Sequence, residues 1–310
     1  PVLQQLGPEA GFVEIGGGSG AFAEIMLKRL LELDALPTRY AILEPSADLR
    51  ERQRERLGRR LIPPVFELVE WLDAPPDETW NGVLFANEVI DALPTPRFTL
   101  RDGEVFEEGV ALDGEGRFVR TDRPADALLS AAVRHVERYL DALFPDGYRS
   151  EVLPQLPYWI QAVMGGLDRG AMLFADYGYP RREFYQADRD DGTLRAYYRH
   201  RVHNDAYLWP GLQDITASFD FTALAEAGTN AGFDLAGYTT QANFLLGNGL
   251  QERLDEAQAR ADEATLLRLR NEAKRLTLPS EMGERFQLMG FSRDVEFGAA
   301  FLFNDLSWRL

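Results

Sequence analysis

Short apolar runs alternate along the chain with longer segments that have helical periodicity. The runs at 11–13, 40–43, 82–86 and 171–175 are continuous, as is typical of strands buried in a parallel sheet. Residues 21–33, between the first two runs, place apolar side chains at helical spacing. This alternation of strand and helix predicts an α/β protein built on a mostly parallel sheet.

Other segments complete the predicted order of elements. Prolines at 63 and 64 interrupt the chain, and residues 65–69 after them predict the third strand. Residues 250–278 predict one long charged helical stretch, and residues 286–291 predict a last strand that pairs with the strand at 233–238. The sheet is therefore expected to have seven strands.

The turn between the first strand and its helix is rich in glycine. Its sequence, E-I-G-G-G-S-G at 14–20, is followed by a second strand that ends at Glu44. Glycines permit positive φ angles and close approach of the backbone to a ligand, and a carboxylate at the tip of the second strand can accept hydrogen bonds from ribose hydroxyls. The predicted cofactor-binding residues here are Glu14, Gly16, Gly18, Gly20 and Glu44.

This glycine pattern fits two kinds of cofactor. Gly16, Gly18 and Ala21 satisfy the G-x-G-x-x-G/A fingerprint of nicotinamide enzymes. Glu14, two positions before the first glycine, gives the form E-x-G-x-G-x-G that is common in class I methyltransferases, which use S-adenosylmethionine. We favour the second interpretation; a purely structural turn is the third.

Polar residues follow the fourth strand at the edge where a parallel sheet binds its ligands. Asn87 and Glu88 end that strand, and Asp91 comes three residues later. Because the fourth strand lies beside the first in a doubly wound sheet, Glu88 and Asp91 are expected near the reactive end of the cofactor, with Asn87 among the cofactor-binding residues. Paired carboxylates can hold a guanidinium. Capping of the strand end or of the following turn is the alternative.

Composition narrows the classes of partner. The 310 residues carry a net charge of −17, which argues against nucleic acid and suits a basic protein or a small cation. The chain has no cysteine and three histidines without metal-binding spacing, so we expect no disulfide and no metal site. No apolar run reaches the roughly 20 residues of a membrane span.

Location and source are predicted from weaker signals. The first residues do not form a signal peptide, and the start at Pro1 leaves room for an upstream segment. Lysine occurs only at Lys28 and Lys274, so nearly all basic residues are arginine, as expected from a GC-rich bacterial genome. These observations predict a bacterial cytoplasmic protein.

Longer motifs identify a family resemblance. N-E-V-I-D-A-L-P at 87–94 closely resembles the N-E-F-F-D-A-L-P signature of the MidA-like methyltransferases, which include the mitochondrial complex I assembly factor that methylates arginine. D-Y-G at 176–178, G-T-L-R-A-Y at 192–197 and D-I-T at 214–216 resemble later motifs of that family, in the same order. The resemblance covers nearly the whole chain and implies S-adenosyl-L-methionine as the cofactor.

The resemblance also implies an architecture and a substrate. It implies a Rossmann-like class I methyltransferase fold: a mostly parallel seven-stranded sheet with an antiparallel last strand and insertions after strands 4 and 5. We expect one methyltransferase domain over 1–310, with insertions at about 95–122 (short antiparallel strands), 179–219 (a lid or substrate-binding segment) and 250–280 (helical). The implied substrate is an arginine side chain of a respiratory-complex or other protein partner.

Further site residues follow from the matched motifs. His200 is the third predicted catalytic residue, beside Glu88 and Asp91, and could accept a proton, although a structural hydrogen bond is an equal alternative. Tyr177 and Asp214 are predicted to bind the substrate, with helix capping as the alternative for Asp214. A homodimer is compatible with the sequence.

The chain departs from the family pattern at three places. Gly17 stands where the family's glycine loop has proline, Val89-Ile90 replaces an aromatic pair, and the N-terminal segment that helps cover the cofactor is not present. Two rival functions remain: an assembly factor that binds S-adenosylmethionine without turnover, and a nicotinamide-dependent oxidoreductase. The second is disfavoured because no lysine–tyrosine or histidine proton relay is evident.

Overall fold

The computed structural model describes residues 1–199 and 201–310. Its strands are β1 (Gly11–Ile15), β2 (Tyr40–Leu43), β3 (Val69–Leu72), β4 (Trp80–Asn87), β5 (Arg97–Arg101), β6 (Glu104–Leu112), β7 (Phe118–Pro124), β8 (Arg149–Glu151), β9 (Leu167–Tyr179), β10 (Arg195–Tyr198), β11 (Arg201–His203), β12 (Asp214–Thr216), β13 (Phe219–Asp220), β14 (Asp234–Thr240) and β15 (Phe286–Arg293). Its α-helices are α1 (Val2–Leu6), α2 (Ala21–Glu32), α3 (Ala47–Arg60), α4 (Pro63–Phe66), α5 (Ala127–Leu140), α6 (Leu156–Met164), α7 (Arg181–Phe184), α8 (Phe221–Asn230), α9 (Gln241–Gly247), α10 (Leu250–Gln258) and α11 (Glu263–Thr277).

The chain divides into two compact units. The first unit comprises residues 1–89, 158–176 and 225–309, and the second comprises residues 90–157, 177–224 and 310. The segments 95–122 and 179–219, predicted as insertions, therefore lie in the second unit, whereas 250–280 lies in the first.

The first unit is built on a sheet with the strand order β14-β15-β9-β4-β1-β2-β3. The pairs from β9 through β4, β1 and β2 to β3 are all parallel, and the last strand, β15, is antiparallel to β14. β1 sits at the point where the strand order reverses, which is where such sheets bind ligands. The predicted α/β fold, with a mainly parallel sheet and an antiparallel last strand, is confirmed.

Three glycines lie side by side across the centre of this sheet. Gly11 on β1 is in register with Gly82 on β4, which is in register with Gly170 on β9. A Cβ added to Gly82 would collide with the carbonyl of Gly11, and a Cβ added to Gly170 would collide with the carbonyl of Gly82. A side chain at Gly82 or Gly170 would therefore not fit between the central strands.

Helices and aromatic pairs pack this sheet from the glycine-loop side. Leu27 of α2 and Leu57 of α3 are fully buried against β2 residues Tyr40 and Ile42. The Phe12 ring stacks on Tyr40 with 4.8 Å between ring centroids. This core holds α2 and α3 against the strands whose ends form the site.

Two antiparallel sheets form much of the second unit. One has the order β7-β6-β5-β8 and buries Phe98, Leu100 and Val105 against Leu129 and Val133 of α5. The other is smaller, with the order β11-β10-β12. Charged residues cover much of the surface of the β7-β6-β5-β8 sheet. Its strands therefore alternate apolar and polar residues in sequence and do not form continuous apolar runs.

One expectation from the sequence was wrong in detail, and another is refined. The segment 65–69 is not the third strand: Pro63 and Pro64 occupy the first positions of α4, and the strand begins only at Val69. The helical stretch at 250–278 consists of two helices: α10 ends at Gln258, and α11 begins after Asp262, whose carboxylate accepts the Thr265 N–H at 2.8 Å.

Candidate functional site

A cavity of about 1020 Å³ opens at the glycine loop of the first unit. Its polar end is formed by Glu14, the loop residues 16–19, Asn87 and Glu88. Apart from Gln4 and Gln241, the rest of its wall is apolar and includes Phe22, Phe85, Leu173, Phe244, Leu288 and Phe297. The cavity thus joins a polar rim to a long apolar wall.

The glycine loop has the backbone that a ligand-binding turn requires. Gly16 and Gly18 have φ angles of +69° and +50°, at which a residue with a side chain would be strained. No neighbouring atom lies within 4 Å of the position that a Cβ on Gly18 would take. Gly20, also at positive φ, begins α2 instead of lining the cavity. The open space at Gly18 leaves room for a ligand against the backbone.

Glu14 carries a buried carboxylate into this cavity from the middle of the sheet. It is 3% exposed, and its Oε2 accepts a hydrogen bond from the Tyr40 hydroxyl at 2.7 Å. Burial raises the pKa of Glu14 from 4.5 to about 7, opposed by the Tyr40 bond and assisted by the charge of Glu44. A cation bound beside Glu14 would draw it toward the ionised form.

Glu44, at the end of β2, is buried in a hydrogen-bond network. Its Oε1 accepts the Ser46 N–H at 3.0 Å, and its Oε2 accepts from Gln53 Nε2 at 3.3 Å. Glu44 is 3% exposed and is not among the residues that line the cavity. Each carboxylate oxygen keeps a second lone pair for a further donor.

The end of β4 holds the most unusual backbone of the site. Glu88 has φ +52°, its N–H donates to the Ala175 carbonyl at 2.9 Å, and its Oε1 accepts from Asn87 Nδ2 at 3.2 Å. The next N–H, of Val89, donates to Asp176 Oδ2 at 3.2 Å. Asp176 is 1% exposed. These bonds hold Glu88 at the cavity in a left-handed conformation that non-glycine residues rarely adopt.

Five of the predicted site residues lie together in the first unit. Glu14, Gly16, Gly18, Asn87 and Glu88 share the cavity of the first unit. Three predicted site residues belong to the second unit. Asp91 is 9% exposed in the turn after β4, Tyr177 lies near the end of β9, and Asp214 is an exposed residue of β12. His200 lies outside the described residues.

Two residues of the site were given no role from the sequence. Gln53 on α3 is fully buried and bonds the glycine loop, and Asp176 accepts the Val89 N–H behind Glu88. In the sequence, Gln53 stands out only as a polar residue on the same helix face as Leu49 and Leu57, four positions from each. Its partners lie far away along the chain, so the spacing could not reveal them.

Comparison with known proteins identifies the family. The family model described as "Putative S-adenosyl-L-methionine-dependent methyltransferase" matches residues 1–239. The chain belongs to this methyltransferase family. No protein with curated annotation matches it.

Two solved structures resemble the methyltransferase over its whole length. A native crystal structure of a protein from Burkholderia thailandensis is 39% identical, with a TM-score of 0.89, and the match covers 100% of this chain and 82% of that one. A second structure from the same organism, bound to S-adenosyl-homocysteine, is 39% identical, with a TM-score of 0.88, and the match covers 100% of this chain and 79% of that one. The MidA-like resemblance and the S-adenosyl-L-methionine cofactor are confirmed.

The cavity fits this cofactor. The open space beside Gly18 can take the amino-acid part against the loop backbone, and Glu14 offers a carboxylate for an ammonium group. Among the residues that the structure describes, no group of three acidic or histidine side chains could hold a metal ion, and no helix has both the length and the apolar character to cross a bilayer.

Proposed function

We propose that this methyltransferase acts on an arginine side chain of a protein partner and that Glu88 holds the guanidinium. The supporting observation is the end of β4, where Glu88 has φ +52° and lines the cavity beside Asn87. Strained backbone of this kind costs free energy and persists where neighbouring bonds enforce it, often at functional sites.

The chemistry of Glu88 suits a guanidinium. S-adenosyl-L-methionine, when bound, supplies an electrophilic methyl group on a positively charged sulfur. The Glu88 carboxylate can accept two parallel N–H bonds and thereby orient one guanidinium nitrogen. Asn87 Nδ2, 3.2 Å from Glu88 Oε1, fixes the carboxylate while leaving lone pairs for the substrate. The carboxylate also stabilises the positive charge of the substrate during transfer.

The remaining roles rest on the matched family motifs and, for Asp91 and Glu44, on their positions after the fourth and second strands. We assign Asp91 as the second catalytic carboxylate and His200 as a proton acceptor. Tyr177 and Asp214 are assigned to the protein substrate, and Glu44 to the ribose of the cofactor. Each assignment predicts a separate effect of substitution. Replacing Asp91 or His200 should abolish methyl transfer. Replacing Tyr177 or Asp214 should raise the KM for the protein substrate, and replacing Glu44 should raise the KM for the cofactor.

The charge of the molecule supports a basic protein as partner. A net charge of −17 attracts a cationic surface and speeds its encounter at low salt. The respiratory-complex partner is proposed on the family resemblance alone.

The test is methyl transfer to peptides that differ only in the acceptor. The protein would be incubated with labelled S-adenosyl-L-methionine and a panel of arginine peptides, each matched by a peptide with lysine in place of arginine, and products would be located by mass spectrometry. Glu88→Gln should lower transfer about a hundredfold while S-adenosylhomocysteine affinity changes less than threefold. Glu51→Gln, at an exposed position of α3, is the matched control.

Two outcomes would contradict the proposal. Methyl groups on lysine peptides, with arginine peptides unmodified, would refute the arginine assignment. Tight binding of S-adenosylhomocysteine with no transfer to any peptide of the panel would favour the assembly factor without turnover.

A further inference from the structure

A buried glutamine joins the two ends of the cofactor site in the first unit. Gln53 is 0% exposed on α3, at a position where the helix packs against the core. A long polar side chain is rarely fully buried unless its hydrogen bonds are made inside the protein. The partners of this side chain therefore indicate what it does.

Each polar group of the Gln53 amide has a partner. Nε2 donates to the Gly18 carbonyl at 2.9 Å and to Glu44 Oε2 at 3.3 Å. Oε1 accepts from the Trp71 indole N–H at 2.9 Å. Because the indole can only donate, it fixes which side of the amide is oxygen and turns the NH₂ group toward Gly18 and Glu44.

The glycine loop also packs directly on this side chain. A Cβ on Gly17 would lie 3.1 Å from Gln53 Nε2, and a Cβ on Gly20 would lie 3.4 Å from Gln53 Cα. Gly17 and Gly20, on either side of the Gly18 hydrogen bond, thus leave no room for a side chain beside Gln53. Movement of α3 would move the loop with it.

We propose that Gln53 is a positioning residue for S-adenosyl-L-methionine. Its single amide sets the spacing between the glycine loop, which takes the amino-acid part of the cofactor, and Glu44, which takes the ribose. This inference depends on the proposed ribose role of Glu44. No apolar residue could replace the amide, because the Gly18 carbonyl, Glu44 and the Trp71 N–H would each lose a buried partner.

The experiment measures S-adenosylhomocysteine affinity by calorimetry in a double-mutant cycle. Gln53→Leu should weaken binding at least tenfold in the native background and by a factor at least three times smaller when Glu44→Ala is already present, because the part of its effect that runs through Glu44 is then already lost. A purely structural role predicts an equal loss in both backgrounds. Gln161→Leu, at an exposed position of α6, is the control and should bind as the native protein does.

A milder variant provides a second test in case Gln53→Leu does not fold. Trp71→Phe keeps an aromatic ring but removes the N–H that orients the amide, and it should weaken binding at least threefold. Unchanged affinity in a folded Gln53→Leu or Trp71→Phe protein, or equal losses in the two backgrounds, would overturn the proposal. If the variants lose S-adenosylhomocysteine affinity as expected but the native protein does not methylate arginine peptides, only the proposed substrate would be overturned.

Discussion

Replacing Glu14 by glutamine should stabilise the protein at alkaline pH and leave its stability almost unchanged at acidic pH. The Glu14 carboxyl is 3% exposed, and burial raises its pKa from 4.5 to about 7. One pKa unit corresponds to about 1.4 kcal/mol, so the difference between the two values amounts to about 3 kcal/mol. Glutamine has nearly the same shape but cannot ionise, and it can still accept from the Tyr40 hydroxyl.

The sign of the effect follows from where the proton binds more tightly. The folded protein holds the Glu14 proton up to about pH 7, whereas the unfolded chain releases it near 4.5. The stabilising contribution of the protonated group is therefore complete below pH 4.5, falls as the pH rises from there, and is lost above about pH 7. The free energy of unfolding of Glu14→Gln should therefore increasingly exceed that of the native protein as the pH rises from 4.5 to 7. Above pH 7 the difference should be about 3 kcal/mol.

Urea unfolding followed by circular dichroism measures this difference. The native protein and Glu14→Gln would be unfolded at pH 5 and pH 8.5, and the free energies of unfolding compared at each pH. Other titrating groups are common to both proteins and cancel from the comparison. A gain that is the same at both pH values would refute the assignment of a raised pKa to Glu14.

The same variant links stability to cofactor binding. S-adenosylhomocysteine carries an ammonium group, which favours ionised Glu14, so binding near pH 6 should release a proton from the native protein. Titration calorimetry in buffers of different ionisation enthalpy counts that proton. Glu14→Gln should bind more weakly and release none; equal proton release by both proteins would assign the titrating group elsewhere.

Two further substitutions test the loop and the strand end. Gly17→Ala would place a Cβ 2.8 Å from Ile42 Cγ2, so the free energy of unfolding should fall by about 1–3 kcal/mol. Gly114→Ala, at a position with open space around it, should change the free energy of unfolding little. Equal urea midpoints for the two variants would contradict this. Asp176→Asn weakens the bond to the Val89 N–H and should lower kcat for methyl transfer more than it raises the cofactor KM; a change in KM alone would place Asp176 with the cofactor instead.

The parts of the site that could be predicted from sequence are those fixed by local chemistry. Glycines at 16 and 18 predicted a backbone with positive φ, because only glycine adopts it without strain, and both residues have it. The continuous apolar run at 82–86 predicted a buried central strand, since a strand covered on both faces needs no polar alternation.

Other features depended on context that the pattern does not contain. The prolines at 63 and 64 were interpreted as a break, but proline is also well suited to the first turn of a helix, where its missing N–H is not needed. Gln53 bonds Gly18, 35 positions away, and Trp71, 18 positions away. Periodicity places such a residue on a buried face but does not name its partners.

The row of glycines at Gly11, Gly82 and Gly170 has a consequence for how this gene can vary. Gly82 and Gly170 each face a neighbouring strand's backbone, which cannot rotate aside as a side chain can, whereas a Cβ on Gly11 would meet only the side chains of Arg39 and Trp80. In a deep mutational scan read out by soluble expression, the codons of Gly82 and Gly170 should therefore tolerate only synonymous changes. Evolution can alter the centre of this sheet only by moving adjacent strands together.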